Sequence, residues 1–225
     1  MLYTKDTNMA IGCVLLGAGQ SKRMGCAKQL LTYQGHTLLE SALSKYSRIQ
    51  PLAVVIDPCM GVEDMVHKVQ GIPVPNEHPQ WGQGTSIRLG VEALLQWEHT
   101  QKERLEAIVC GVIDQPLLNV QVIDDLCNTF RDIGDEKSII QPQYGPHQER
   151  GNPVVFGRYW ADALRLIPGD MGGRVILRGE GAPHVTYVWL ERQCTMHSGI
   201  DVDTKEDYDR IVSEGGRYET NDSHP

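Results

Sequence analysis

Positions 17–28 read Gly17-Ala18-Gly19-Gln20-Ser21-Lys22-Arg23-Met24-Gly25-Cys26-Ala27-Lys28, with three glycines and three cations in one loop. Glycine allows φ > 0 and close backbone approach, so such a loop can turn several N–H groups towards an anion. Lys22, Arg23 and Lys28 add the charge needed where phosphates build up negative charge as they transfer and leave. Acids elsewhere complement this loop. Asp114 ends the apolar run 107–113, and a hard carboxylate beside a triphosphate is a usual holder of Mg²⁺, which takes one or two protein carboxylates and keeps its waters. In Asp201-Val202-Asp203 an extended backbone would point both acids to one face, where either could complete a metal site. The blander readings are that Asp114 starts a turn and that Asp203 or Thr204 caps the last helix.

Two familiar phosphate loops are excluded. Five positions beyond Gly17 and Gly19 stand Lys22 and Met24, so there is no Gly-Lys-Ser/Thr ending of a Walker A loop. The dinucleotide pattern G-x-G-x-x-G starts at Gly17 and Gly19 but meets Lys22 where its third glycine belongs. A plain strand-to-helix turn remains as the alternative, and it leaves the three cations without a purpose.

The loop's cations are local, because the 225-residue chain has a formal net charge of −8. That balance speaks against a nucleic-acid partner or an anionic membrane surface. No apolar run approaches the 18 residues of a membrane span, and Met1 to Asn8 lacks the apolar centre of a signal peptide. Six cysteines without C-x-x-C or zinc spacing fit a reducing cytoplasm, with Cys13 and Cys110 as core residues and Cys26 in the cationic loop. The histidines are scattered, and no pair has ligand spacing; His147 is the one worth testing.

The elements that must position these residues alternate. Segments 11–16, 52–56, 72–74, 107–113 and 138–140 read as strands, and 38–46, 62–69, 86–97 and 122–130 as helices between them. After a polar, Gly/Pro-rich stretch at 141–152 come a strand at 154–156, helices near 159–166 and 173–178, a strand at 184–190 and a last helix at 204–212. The pattern predicts one α/β domain with a mostly parallel sheet and helices on both faces. Ligands of such sheets sit beyond the carboxyl ends of the strands, where loop 17–28 and Asp114 would meet. The expected organisation is a flexible extension over 1–10, a domain over 11–214 and a flexible tail over 215–225.

Taken together, the motifs resemble the nucleotidyltransferases of the molybdenum cofactor family. Leu16 to Lys28 matches that family's L-A-A-G-x-S-x-R-M-G-x-x-K, with Gly17 for the first Ala. Asn76 with Trp81-Gly82-Gln83-Gly84-Thr85-Ser86, Asp114-Gln115-Pro116, Gly151-Asn152-Pro153-Val154, Gly169-Asp170-Met171-Gly172-Gly173-Arg174 and Asp201-Val202-Asp203 follow in family order. The cytidylyltransferase subgroup is the best match, since the guanylyltransferases typically show L-A-G-G where Ala18 stands here. Asn152 replaces the His that cytidylyltransferases commonly carry in G-H-P-V.

The resemblance implies a Rossmann-like three-layer domain of the nucleotide-diphospho-sugar transferase type. It also implies transfer of CMP from CTP to a molybdopterin-type cofactor, with pyrophosphate released and a molybdenum hydroxylase as a further partner. A GTP-using guanylyltransferase, a sugar- or alcohol-phosphate nucleotidyltransferase and a cofactor-delivery protein are the alternatives. By the same resemblance, Lys28, Arg23 and Asp114 are the catalytic residues. Leu16, Gly17, Ala18, Gly19, Asn76 and Ser86 join them in binding the nucleotide. Asp114 and Asp203 hold Mg²⁺, with Asp201 in reserve, and Gly151, Asn152, Pro153 and Trp81 face the acceptor.

Overall fold

In a computed structural model, residues 10–19, 24–25, 27–192 and 194–218 are described. The strands in chain order are β1 (Ile11–Leu16), β2 (Thr32–Tyr33), β3 (His36–Thr37), β4 (Leu52–Ile56), β5 (Ile72–Pro75), β6 (Ala107–Val112), β7 (Ile139–Tyr144), β8 (Glu149–Arg150), β9 (Val154–Gly157) and β10 (Val185–Leu190). The helices are α1 (Leu38–Tyr46), α2 (Glu63–Lys68), α3 (Gln83–Gln101), α4 (Val120–Ile133), α5 (Ala161–Arg165), α6 (Arg174–Arg178) and α7 (Lys205–Tyr218).

The Val- and Ile-rich runs become the middle of one sheet, ordered β10-β7-β9-β6-β1-β4-β5, with β8 folded back on β7. β1 pairs in parallel with β4 and β6, β4 with β5, and β7 with β10. β9 alone in that row runs antiparallel to both of its neighbours, β6 and β7. β4 and β6 are buried throughout, as continuous apolar runs covered on both faces should be.

Alternation along each strand divides the core between the two faces. Cys13, Leu15, Val54 and Val109 pack with Leu39, Leu43 and Tyr46 of α1, Val66 of α2 and Phe130 of α4. Val14, Val55 and Ile108 pack on the opposite side with Ile87, Val91 and Leu94 of α3, Leu164 of α5 and Ile176 of α6. The result is the expected three-layer α/β fold with a mostly parallel sheet. A small third cluster joins Tyr33 and Leu38 to Val202 and Ile211, and so fastens the C-terminal segment near the start of α1. No described helix is long and apolar enough to cross a membrane.

Several boundaries differ from the sequence expectation. β7 continues to Tyr144, because Gln141 and Pro142 are buried by sheet neighbours despite their polarity or missing N–H. α3 starts at Gln83, three residues early, since its glycines pack against another loop and do not break the helix. The helix expected over 159–166 is a 3-10 turn at Arg158–Trp160 followed by α5, and α7 extends beyond 212 to Tyr218. Residues 1–9 of the expected extension and 219–225 of the expected tail lie outside the described residues.

Candidate active site

The carboxyl ends of β1 and β6 open into a cavity of about 450 Å³. Its wall is formed by Leu16 at the end of β1, Ala18 and Gly19 beyond it, Lys28 and Gln29 from the next 3-10 turn, Gly82, Gln83 and Ser86 around the start of α3, and Asp114 after β6. Gln29 shapes the loop from inside. Its buried Nε2 donates to the carbonyls of Gly17 (2.8 Å) and Gly19 (2.7 Å), while the Gly17 N–H donates to Val55 O of β4. Among the described residues, a Cβ at Gly19 would meet no atom within 4 Å.

The beginning of α3 is held by a second glycine-rich loop. Gly82 has φ 99°, a conformation that favours glycine. A Cβ there would lie 2.1 Å from the Gly169 carbonyl oxygen, and one on Gly84 would lie 2.1 Å from that of Pro168. The Gly84 N–H donates to Gly169 O at 3.0 Å. The segments around Gly82 and Gly169 are therefore fitted to each other by close backbone contact. Behind α3, the buried Asn76 donates from Nδ2 to Ser86 Oγ at 2.9 Å. Ser86 lines the cavity, whereas Asn76 supports it from beneath.

Three acids converge at one end of this cavity. The Val202 N–H donates to Asp114 O at 2.8 Å, which lays residues 201–203 alongside the end of β6. Val202 is fully buried, and the two acids flanking it both reach the cleft, as period-2 spacing predicts. Lys28 Nζ sits among them, donating to Asp114 Oδ2 (2.7 Å), Val202 O (3.0 Å) and Asp203 Oδ1 (3.3 Å). Burial pulls the Lys28 ammonium towards neutrality, but Asp114 and Asp203 outweigh it and raise its pKa above the ordinary lysine value. Desolvation, then repulsion from Asp114 and Asp203, raises Asp201 to about 6, although Gln115 Nε2 donates to its Oδ1 at 3.0 Å.

A second cavity of about 590 Å³ continues from the first and shares Leu16, Gln83, Val112, Asp114 and Asp203 with it. Its floor is Cys110, Val154 and Phe156, and its sides are Gln141, Arg150, Gly151, Asn152, Asp201 and the segment from Gly172 to Arg174 with Arg178. The acids thus stand at the junction of two half-clefts.

A sequence model of the MobA-like NTP transferase domain matches residues 13–185. The chain belongs to that family. Among curated proteins, the bifunctional protein GlmU of Synechococcus sp. (strain RCC307) is 26% identical over 157 residues, 68% of this chain. The chain spans about a third of that relative's length, 32%. Rv0371c of Mycobacterium tuberculosis H37Rv is 24% identical with a TM-score of 0.67, covering 91% of this chain and 98% of its own. A second Rv0371c structure, a complex with manganese, is 22% identical with a TM-score of 0.63 over 91% and 99% of the chains. A nucleotidyl transferase from Methanothermobacter thermautotroptrophicus is 21% identical with a TM-score of 0.70 over 94% and 100%. The solved structures, all under 25% identity, establish the fold, and the family is that of the MobA-like NTP transferase domain.

In this member of the family the structure gathers most of the residues expected from the sequence. Leu16, Ala18, Gly19, Lys28, Ser86, Asp114 and Asp203 line the first half-cleft, and Gly151 and Asn152 the second. Gly17, Asn76 and Pro153 lie behind the lining. Trp81 is 55% exposed, stacked on His78 with centroids 4.0 Å apart, and lines neither half. Arg23, Lys22 and Cys26 lie outside the described residues.

The junction suits a divalent cation. Asp114 Oδ1 is buried with no hydrogen-bond partner, and the neighbouring Asp203 carboxylate offers further oxygens of the kind Mg²⁺ prefers. Among the described residues no group of three or more His, Cys, Asp or Glu is arranged to hold a metal ion. Sequence reasoning missed Gln29, Gln83, Arg150 and Arg178. Gln29 follows Lys28 directly, and its position beside the loop was the available signal.

Proposed function

We propose that this transferase moves CMP from CTP to a molybdopterin-type cofactor. An acceptor phosphate oxygen would attack the α-phosphorus of CTP; a new P–O bond forms as the bond to pyrophosphate breaks. The observation carrying this reading is the meeting of Lys28, Asp114 and Asp203 where the two half-clefts join, at the place where a nucleotide's α-phosphate and an acceptor would face each other. Little covalent chemistry is asked of the protein; positioning and charge neutralisation carry such reactions.

In this reading the backbone at Ala18 and Gly19 receives the base and phosphates, and Ser86 contacts the nucleotide. Lys28 leaves the acids for the α-phosphate as negative charge grows there, and Arg23 takes the β- and γ-phosphates. Asp114 and Asp203 hold Mg²⁺, which supplies charge neutralisation at the phosphates when bound. Gly151 and Asn152 face the acceptor, with Trp81 at the rim on the other side. Preference for cytosine rests on Ala18 within the Leu16-Gly17-Ala18-Gly19 run.

A pyrophosphate-release assay with each nucleoside triphosphate, with and without purified molybdenum cofactor, tests the reading. The expected result is release that requires both CTP and the cofactor. Release driven by GTP overturns the cytidylyl assignment, and release with a sugar or alcohol phosphate alone overturns the acceptor.

A further inference from the structure

The second half-cleft contains three arginines that the chemistry above does not use. Arg150 ends β8, while Arg174 and Arg178 are four residues apart on α6 and so share one face of that helix. Elsewhere five described arginines are paired, Arg48 with Asp124, Arg104 with Glu136, Arg158 with Glu98, Arg165 with Asp162 and Arg210 with Asp207, while Arg88, Arg131 and Arg192 form no ion pair among the described residues but lie outside this cleft. None of the three cleft arginines forms an ion pair among the described residues. Arg150 instead lies over the Tyr187 ring, its guanidinium carbon 4.6 Å from the centroid, a contact that orients it without neutralising it.

The charge around them makes that arrangement informative. Asp114, Asp201 and Asp203 border the same half-cleft, and Lys28 is the cation seated among them. A triphosphate in the neighbouring half would add more negative charge. An anionic acceptor would therefore be repelled unless this half supplied its own cations, whereas a neutral acceptor would need none. Guanidinium groups present paired N–H donors that match two oxygens of a phosphate.

We infer that Arg150, Arg174 and Arg178 bind the acceptor through a phosphate-class anion and so select anionic acceptors over neutral ones. This rests on the transferase reading above, in which the acceptor already carries a phosphate, and adds the residues that bind and select it. All three side chains are exposed, so replacing them with Gln leaves the core intact.

The test compares wild type with Arg150→Gln and with the double variant Arg174→Gln/Arg178→Gln. Methyl phosphate is titrated by calorimetry into protein saturated with a non-hydrolysable α,β-methylene CTP. Each variant should lose at least tenfold in methyl phosphate affinity while binding the CTP analogue within twofold of wild type. Methyl phosphate that fails to bind wild type, or binds the variants equally well, overturns the inference. So does a loss of analogue affinity, which would assign the arginines to the nucleotide. Pyrophosphate release with molybdenum cofactor separates the two levels of the argument. A wild type without turnover defeats the cofactor as acceptor and leaves the titration to decide the arginines. With turnover, the KM for the acceptor should rise at least tenfold in the variants while that for CTP holds, and an unchanged acceptor KM overturns the inference.

Discussion

At the scale of single residues the site is a balance of opposite charges held close. Lys28 and Asp114 meet at 2.7 Å, with side chains 11% and 20% exposed, so neither is a freely solvated surface charge. Their ion pair is formed without any substrate, and the proposed chemistry would have the lysine exchange partners. On the proposed mechanism Lys28→Ala removes a charge contact made in the transition state, a loss that typically costs roughly 3–4 kcal/mol, or about 10²–10³ in kcat. Asp114→Asn keeps the shape and loses the anion, and the same range is expected. Circular dichroism and melting should show both variants folded while pyrophosphate release collapses. Near-normal release from either would remove that residue from the reaction.

Among elements, the decisive contact is between the start of α3 and the loop containing Gly169. Gly82→Ala would force a side chain into the left-handed region and onto the Gly169 carbonyl, where the ideal Cβ lies 2.1 Å away. Strain of that kind costs roughly 1–3 kcal/mol. The melting temperature should drop, and stabilisation by added CTP should weaken because Gly82, Gln83 and Ser86 line the half-cleft proposed for the nucleotide. A variant that melts like wild type would show that this turn is not locked.

The same contact marks where sequence reading stops. Strands β1, β4 and β6 were legible because burial on both faces demands unbroken apolar runs. Lys28 and Asp114 were legible because an ordered sheet brings its carboxyl ends together. The pairing of Gly82 with Gly169 was not, since a glycine records that space is needed and not which backbone fills it. The antiparallel β9 was equally hidden: Val154 to Phe156 is as apolar as a parallel strand. Arg150 and Arg178 escaped notice, and Arg174 was read only as part of a motif, because exposed cations in a sequence look alike and their gathering in one cleft is visible only in three dimensions.

For the whole molecule, charge placement leaves a measurable trace. Lys45 of α1 has its Nζ 2.7 Å from Pro116 O, and burial lowers its pKa from 10.5 to about 8. Between these values the unfolded chain binds a proton that the folded one has released, so this residue's contribution to stability rises with pH. Below about pH 8 the folded protein carries the full cost of the buried charge. Urea unfolding from pH 7 to 10 should show wild type gaining stability relative to Lys45→Met, and a pH-independent difference would contradict the assigned burial. Lys28 has a larger consequence. Standing between Asp114 and Asp203, it is an internal counterion already in place where a dissolved cation would otherwise settle. The empty protein should accordingly ignore Mn²⁺ until a triphosphate draws the lysine away, which makes the nucleotide the key that unlocks the acids. Paramagnetic titration should show tight Mn²⁺ uptake only with CTP present, and Lys28→Met should abolish that dependence.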